Sequence, residues 1–375
     1  MAERASSVDA IQWEECLLER RPDAAITEHV RRRIGRVPEY VDYYTPAPWL
    51  ARNVSILTPD FVGLKHTDQR FGHLIAVVVS QDNSCRYCYA AHRVLLKILG
   101  LDEDRIAALE TDLLTADLSA AERAGLDFAR RVSRHNPAPD RADRDRLLEL
   151  GYSREAVKEL VFVAALAVSA NRFATLPAIP TGRVEGMSTH PVVRLLRPVI
   201  GYVLRSRFRS FEPRAVALDD VARPFSYLVR ALDELPIAAE LGGFVDEAWA
   251  SDILTPRCKA LMVAVVARTL GSDVAEREAR RLSAKEGFGD AQVDDVLANL
   301  AAPDLDPVET IAIPFARESV RYEPMQIQRR ARAVREKLTV EQFVELVGIA
   351  ALANGLCRMT LLADEPRPAP GAGSR

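Results

Sequence analysis

Cysteine is scarce in this chain, with five residues in 375: Cys16, Cys85, Cys88, Cys258 and Cys357. They are too few and too scattered for a disulfide framework. No apolar run approaches the ~20 residues a membrane span needs, so no spanning segment is expected. The opening MAERASSVDAIQWEE lacks a basic stretch leading into an apolar one, which argues against a secretory signal. With a net charge of −3 and a pI of about 6.2 there is no general basic field, and no nucleic-acid partner is expected. Clean apolar–polar alternation bounded by hairpin turns is missing as well. What remains is an ordinary globular composition, 48% hydrophobic and 27% charged, long enough for one large domain or two average ones. The expected location is a cytoplasmic, reducing compartment. There, close cysteines serve catalysis or metal binding more often than stapling.

Helical periodicity dominates, and the expected fold class is all-α. RFGHLIAVVVSQ is short and β-branched enough to pass for a buried strand, but its neighbours read as helix boundaries. NSCRYCYAAHRVLLKILG reads as a helix capped by Asn83 or Ser84, with Gly100 just past its end. Ser119-x-x-Glu122 forms a capping box, and Ser153 opens a long apolar helix.

A repeat organises the chain. ELVFVAALAVSANRFATL (159–176) aligns with ELVGIAALANGLCRMTLL (345–362), with 9 of 18 positions identical, among them Glu159/Glu345 and Arg172/Arg358. A nearly constant offset continues upstream, through the two FAR triplets at 128–130 and 315–317 to Pro48/Pro236. The expectation is a tandem duplication packed as a pseudo-dimer. Its parts are an N-terminal helical extension (1–34), a first repeat (35–180), a linker (181–224), a second repeat (225–365) and a disordered tail (366–375). In this register Ser272, Ala275 and Ala279 stand where the first copy has Cys85, Cys88 and His92. One copy keeps a reactive constellation, and the other supplies a packing partner. The linker carries Arg194, Arg197, Arg205, Arg207 and Arg209. Pro198 and Gly201 are expected to interrupt any helix there. A linker helix packed on the other copy is favoured over a membrane-surface segment.

Cys85, Cys88 and His92 fall at i, i+3 and i+7, on one helical face. In a first turn, free N–H groups and the helix dipole favour a thiolate. His92, one turn beyond Cys88, can accept a thiol proton. A nucleophile, a second thiol and a proton acceptor are the parts of a dithiol redox catalyst. Zinc is the competing reading, yet no second CxxC or His-x-x-x-His exists. His66 and His73, seven apart, would have to face the motif. Two inert core cysteines are a third reading. Cys16, Cys258 and Cys357 read as small core hydrophobes, Trp13 and Trp49 as anchors of the N-terminal helices, and Arg172 and Arg358 as structural. Tyr87, between the cysteines, reads as packing with a supporting role open.

VSQDNSCRYCYAAH, with LSAAERAGLDFARRV and ANRFATL downstream, resembles the carboxymuconolactone decarboxylase / alkyl hydroperoxidase D (AhpD-like) superfamily in its peroxidase-related branch. The resemblance spans residues 35–180 and, more faintly, 225–365. It implies an oligomerising helical bundle that reduces hydroperoxides with thiols. Cys88 would be the peroxidatic cysteine, Cys85 the resolving one and His92 the relay histidine. Lactone decarboxylases of the superfamily generally lack the CxxC pair. The reductant would be a dithiol, thioredoxin-like or lipoyl-type partner, the assembly a homo-oligomer or a self-contained pseudo-dimer. No cofactor and no metal are expected. One departure stands out: the superfamily's relay begins with a glutamate twelve residues before the first cysteine, and here that position is His73. A His73–His92 relay lacks a fixed negative charge; Asp68 and Asp82 are the nearby acids, though neither occupies the matching position. The alternatives are a metal-binding or redox-sensing module and an oligomeric scaffold with a vestigial site.

Overall fold

The structure, a computed structural model, describes residues 11–113, 116–181, 191–218, 220–232 and 234–364. Residues 1–10 of the expected extension, 182–190 of the linker and the tail 366–375 lie outside these.

The fold is all-α, with eighteen α-helices and no strand among the described residues. They are α1 (Ala24–Ile34), α2 (Val41–Tyr44), α3 (Pro48–Asn53), α4 (Gln69–Asp82), α5 (Arg86–Ile98), α6 (Glu103–Thr111), α7 (Ala120–Arg134), α8 (Arg141–Glu149) and α9 (Arg154–Thr175). After these come α10 (Pro191–Ser210), α11 (Ser226–Ala231), α12 (Ile237–Ala250), α13 (Pro256–Leu270), α14 (Asp273–Lys285), α15 (Asp290–Asn299), α16 (Pro307–Glu318), α17 (Pro324–Arg335) and α18 (Val340–Met359). RFGHLIAVVVSQ is helical because Asp68 caps α4, accepting the Phe71 N–H at 3.1 Å. The capping box at α7 is made in both directions between Ser119 and Glu122.

α9 and α18 lie against each other at the centre. α4, α5 and α7 pack on α9, while α13 and α16 pack on α18. Small residues permit the central approach. A Cβ on Gly355 would stand 2.3 Å from Ser169 Oγ and 3.2 Å from the Ala165 carbonyl oxygen. The repeated glutamates fix the loops that enter each bundle. Glu159 accepts the N–H groups of Lys65, His66 and Thr67 at 2.6, 2.9 and 2.7 Å. Glu345 accepts Leu254 N–H at 3.2 Å and Trp49 Nε1–H at 2.9 Å, and pairs with Lys259 at 2.9 Å. Both carboxylates are fully buried, a position that requires this degree of pairing. Trp49 thus anchors α3 onto α18.

Two expectations change here. Val340–Leu362 is long and apolar enough by composition to cross a membrane, yet 94% of it is buried within the fold, so its apolarity belongs to the core. The linker helix α10 runs unbroken through Pro198 and Gly201. It rests mainly on α5 and on the 3₁₀ turn Pro59–Phe61 of the first half, not on the second copy. Gly201 has a packing reason: a Cβ there would meet the Ile98 carbonyl oxygen at 2.8 Å.

Candidate functional site

α4 and α5 meet at a tight turn, with Ser84 in the left-handed region (φ 51°). The N-cap of α5 is Cys85, not the expected Asn83 or Ser84. Its sulfur accepts the Cys88 N–H at 3.4 Å. Asn83 instead ties elements together, donating to the Val79 carbonyl at 2.8 Å and to Ser133 Oγ at 2.9 Å. All three motif side chains are buried, with Cys85 0%, Cys88 5% and His92 7% exposed. The five cysteines are all free thiols.

Burial alone would raise the Cys85 thiol. Hydrogen bonding from the Cys88 side chain and backbone, with the charge of Arg172, outweighs it, and its pKa falls below the ordinary value. Cys88 moves the opposite way. Burial and the neighbouring Cys85 sulfur hold its thiol protonated, well above the usual range. Of the two thiols, Cys85 is the one that ionises first.

The histidines form a buried chain that ends in an acid. His73 Nδ1 lies 3.0 Å from His92 Nδ1, and His73 Nε2 lies 3.1 Å from Asp60 Oδ1. His73 is fully buried and Asp60 is 2% exposed. Burial alone would raise the Asp60 carboxyl, but His73, with Gln69 Nε2–H at 2.6 Å, brings it down to about 2. Burial, with the neighbouring His73, pushes His92 down to about 3, so its imidazole is neutral near pH 7. The acid at the end of this chain is Asp60, on the 3₁₀ turn Pro59–Phe61. Asp68 is occupied as the α4 cap, and Asp82 pairs with Arg134 at 2.7 Å. His66 is exposed and does not join the buried His73. Among the described residues no group of three His, Cys, Asp or Glu side chains is arranged to hold a metal ion.

The second half reaches the site through Arg172. This fully buried guanidinium donates to Asn83 Oδ1 at 2.6 Å and to the carbonyls of Ser319 and Val320 at 3.2 and 2.8 Å. Its Cζ also sits 5.3 Å from the centre of the Tyr322 ring. No carboxylate among the described residues pairs with it. Burying an unpaired guanidinium is costly, and its charge favours ionisation of the Cys85 thiol. Arg358 makes the reciprocal contact, donating Nε–H to the Ser133 carbonyl at 2.8 Å. Its position and that of its acceptor differ by 186 residues from those of Arg172 and Ser319. Ser272 N–H bonds the Ala267 carbonyl at 2.9 Å, and Cys85 N–H bonds that of Ser80 at 2.9 Å.

Tyr87 packs edge-on to Tyr40, with ring centres 5.9 Å apart, and burial raises its phenol. Sequence reasoning did not identify Asp60 or Arg172 as part of the site. Recurrence in both copies marked Arg172 as structural, while no helical spacing relates Asp60 to His73.

Residues 61–131, which hold His73, Cys85, Cys88 and His92, match the carboxymuconolactone decarboxylase family. Among solved structures, an uncharacterized peroxidase-related protein from Silicibacter sp. TM1040 is similar at 25% identity. The similarity covers 47% of this chain and 97% of that one, with a TM-score of 0.39. No curated protein matches.

Proposed function

We propose, from the premise that residues 61–131 belong to the carboxymuconolactone decarboxylase family, that Cys85 and Cys88 reduce a hydroperoxide through a dithiol–disulfide cycle. The observation that carries this reading is the buried Asp60–His73–His92 chain, whose last member lies one turn beyond Cys88 on the same helix.

Starting from two thiols, His92 Nε2 takes one proton, and the Cys88 thiolate so formed attacks the peroxide. The O–O bond breaks, a Cys88 sulfenic acid forms, and the alkoxide leaves with the proton that His92 took. Cys85 then attacks the sulfenic sulfur. Its thiol proton leaves with the hydroxide as water, and the Cys85–Cys88 disulfide remains. The sum is two thiols and ROOH converted to disulfide, ROH and water. An external dithiol restores the thiols; a thioredoxin-like or lipoyl-type partner fits that role.

The relay works by two proton arrangements. With Asp60 ionised and holding the His73 Nε2–H, His92 donates its Nδ1–H to His73 and keeps Nε2 as an acceptor. A proton taken at His92 Nε2 lets the Nδ1 proton pass to His73, and the resulting imidazolium lies beside Asp60. Asp60 thus supplies, through His73, the fixed charge that a histidine cannot.

The reciprocal arginine contacts support a tandem duplication with a pseudo-twofold arrangement, in which the second half holds Arg172 and leaves the chemistry to the first. A reducing, cytoplasmic setting suits the free thiols. The test is turnover of an organic hydroperoxide with a dithiol reductant. Cys88→Ser should abolish it, and unchanged turnover in that variant would defeat the proposal.

A further inference from the structure

Among the described residues, helix α10 carries the largest concentration of exposed apolar side chains. Leu195, Leu196, Val199, Tyr202 and Val203 are 79, 44, 61, 70 and 44% exposed. Only two other large apolar residues, Leu148 and Val221, are exposed among the described residues. At ~100° per residue, the five fall within an arc of about 120°. The opposite face holds the helix down, with Gly201 against the Ile98 carbonyl and Phe208 packed on the core, while Arg207, at the other edge of the arc, donates to the Ile34 carbonyl at 2.7 Å. The outward face is therefore a fixed feature of the fold.

Charge indicates what covers it. The twenty residues of α10 contain five arginines and no acid, in a chain whose net charge is −3. Arg205 and Arg209 follow one edge of the apolar arc. They line a cleft of about 280 Å³ with Arg70, Asp68, Gln69, Leu99 and Phe208. Asp68 is already engaged as the α4 cap. An apolar stripe beside a basic cleft fits a surface of acyl chains and anionic headgroups. A second copy fits poorly. Self-pairing would bring like-charged helices together, and the stripe spans nine residues, where a stable interface uses about 20–30 a side.

We propose that α10 docks this chain peripherally on an anionic lipid surface, with Leu195, Val199 and Tyr202 at the acyl boundary and Arg205 and Arg209 among the phosphates. The proposal is independent of the redox chemistry. The experiment is flotation of the full chain with vesicles of phosphatidylcholine alone or mixed with phosphatidylglycerol, across a salt series. Wild type should float with the anionic vesicles only, and less so as salt rises. Leu195→Asp/Val199→Asp should lower binding at least about tenfold, and Arg205→Gln/Arg209→Gln about tenfold. Both variants should alkylate their cysteines at the wild-type rate, showing that the fold is intact. Three results would overturn the proposal. One is wild-type protein remaining in the soluble fraction with anionic vesicles, and another is equal flotation of wild type and Leu195→Asp/Val199→Asp. The third is a dimer in sedimentation that this variant splits while wild type ignores vesicles, which would give the face to a second copy.

Discussion

Individual residues divide the work at this site more finely than a CxxC motif suggests. Asp60 and Arg172 touch neither thiol directly by any described hydrogen bond, yet in the proposed cycle Asp60 steadies a proton on His73 and Arg172 favours ionisation of Cys85. Asp60→Asn keeps the shape and removes the anion. It should lower hydroperoxide turnover by about 10²-fold or more, measured as peroxide consumption with saturating dithiol; full turnover would take Asp60 out of the relay. Arg172→Met and Arg358→Met should both lower stability in denaturant by about 1–3 kcal/mol, because each strands a buried carbonyl of the other half. Only Arg172→Met should also raise the Cys85 thiol pKa and slow its alkylation near neutral pH, by about tenfold for one pKa unit. Equal alkylation rates in the two variants would leave Arg172 a purely structural role. Helical spacing brought Cys85, Cys88 and His92 to one face in the sequence, and the resembled superfamily's pattern pointed to His73. Asp60 was not legible, since it reaches His73 from a 3₁₀ turn in a preceding loop whose path only tertiary packing determines.

At the level of elements, caps and small residues account for most of the architecture. Ser119–Glu122, Asp68 and Ser153 start helices where their side chains satisfy free N–H groups. α9 and α18 approach closely because Gly355 faces Ser169. Gly355→Val should cost about 1–3 kcal/mol in urea unfolding, and a neutral result would mean the central pair has room to part. The cap of α5 was misjudged by one or two residues because cysteine is a poor cap by composition, and the sulfur acceptor is visible only in three dimensions. α10 was expected to break at Pro198. It does not, since a surface helix can leave one carbonyl to water, and Gly201 serves close packing on α5. The likeness of 159–176 to 345–362, with Glu159/Glu345 and Arg172/Arg358, was plain in sequence. What those pairs do, fixing loops and crossing between halves, required coordinates.

Across the whole molecule, the buried imidazoles tie stability to pH. His92 and His135 are pushed down to about 3 and about 4, in each case first by burial. Their folded pKa values lie below the unfolded value of about 6.5, so below that pH the unfolded chain binds more protons. Their contribution is complete above about pH 6.5 and is lost as pH falls toward 3–4, at up to about 1.4 kcal/mol per pH unit for each group. Melting temperature should therefore drop on acidification through this window, and His135→Gln should flatten the slope; an unchanged slope would show that His135 is not buried neutral. The redox account makes its sharpest demand on the intact chain. Reduced protein, mixed with less than one equivalent of an organic hydroperoxide without external thiol, is quenched and mapped by mass spectrometry. The account predicts one Cys85–Cys88 disulfide, and two thiols lost, for each peroxide consumed. Peroxide left unreacted with Cys85 and Cys88 still reduced would contradict it.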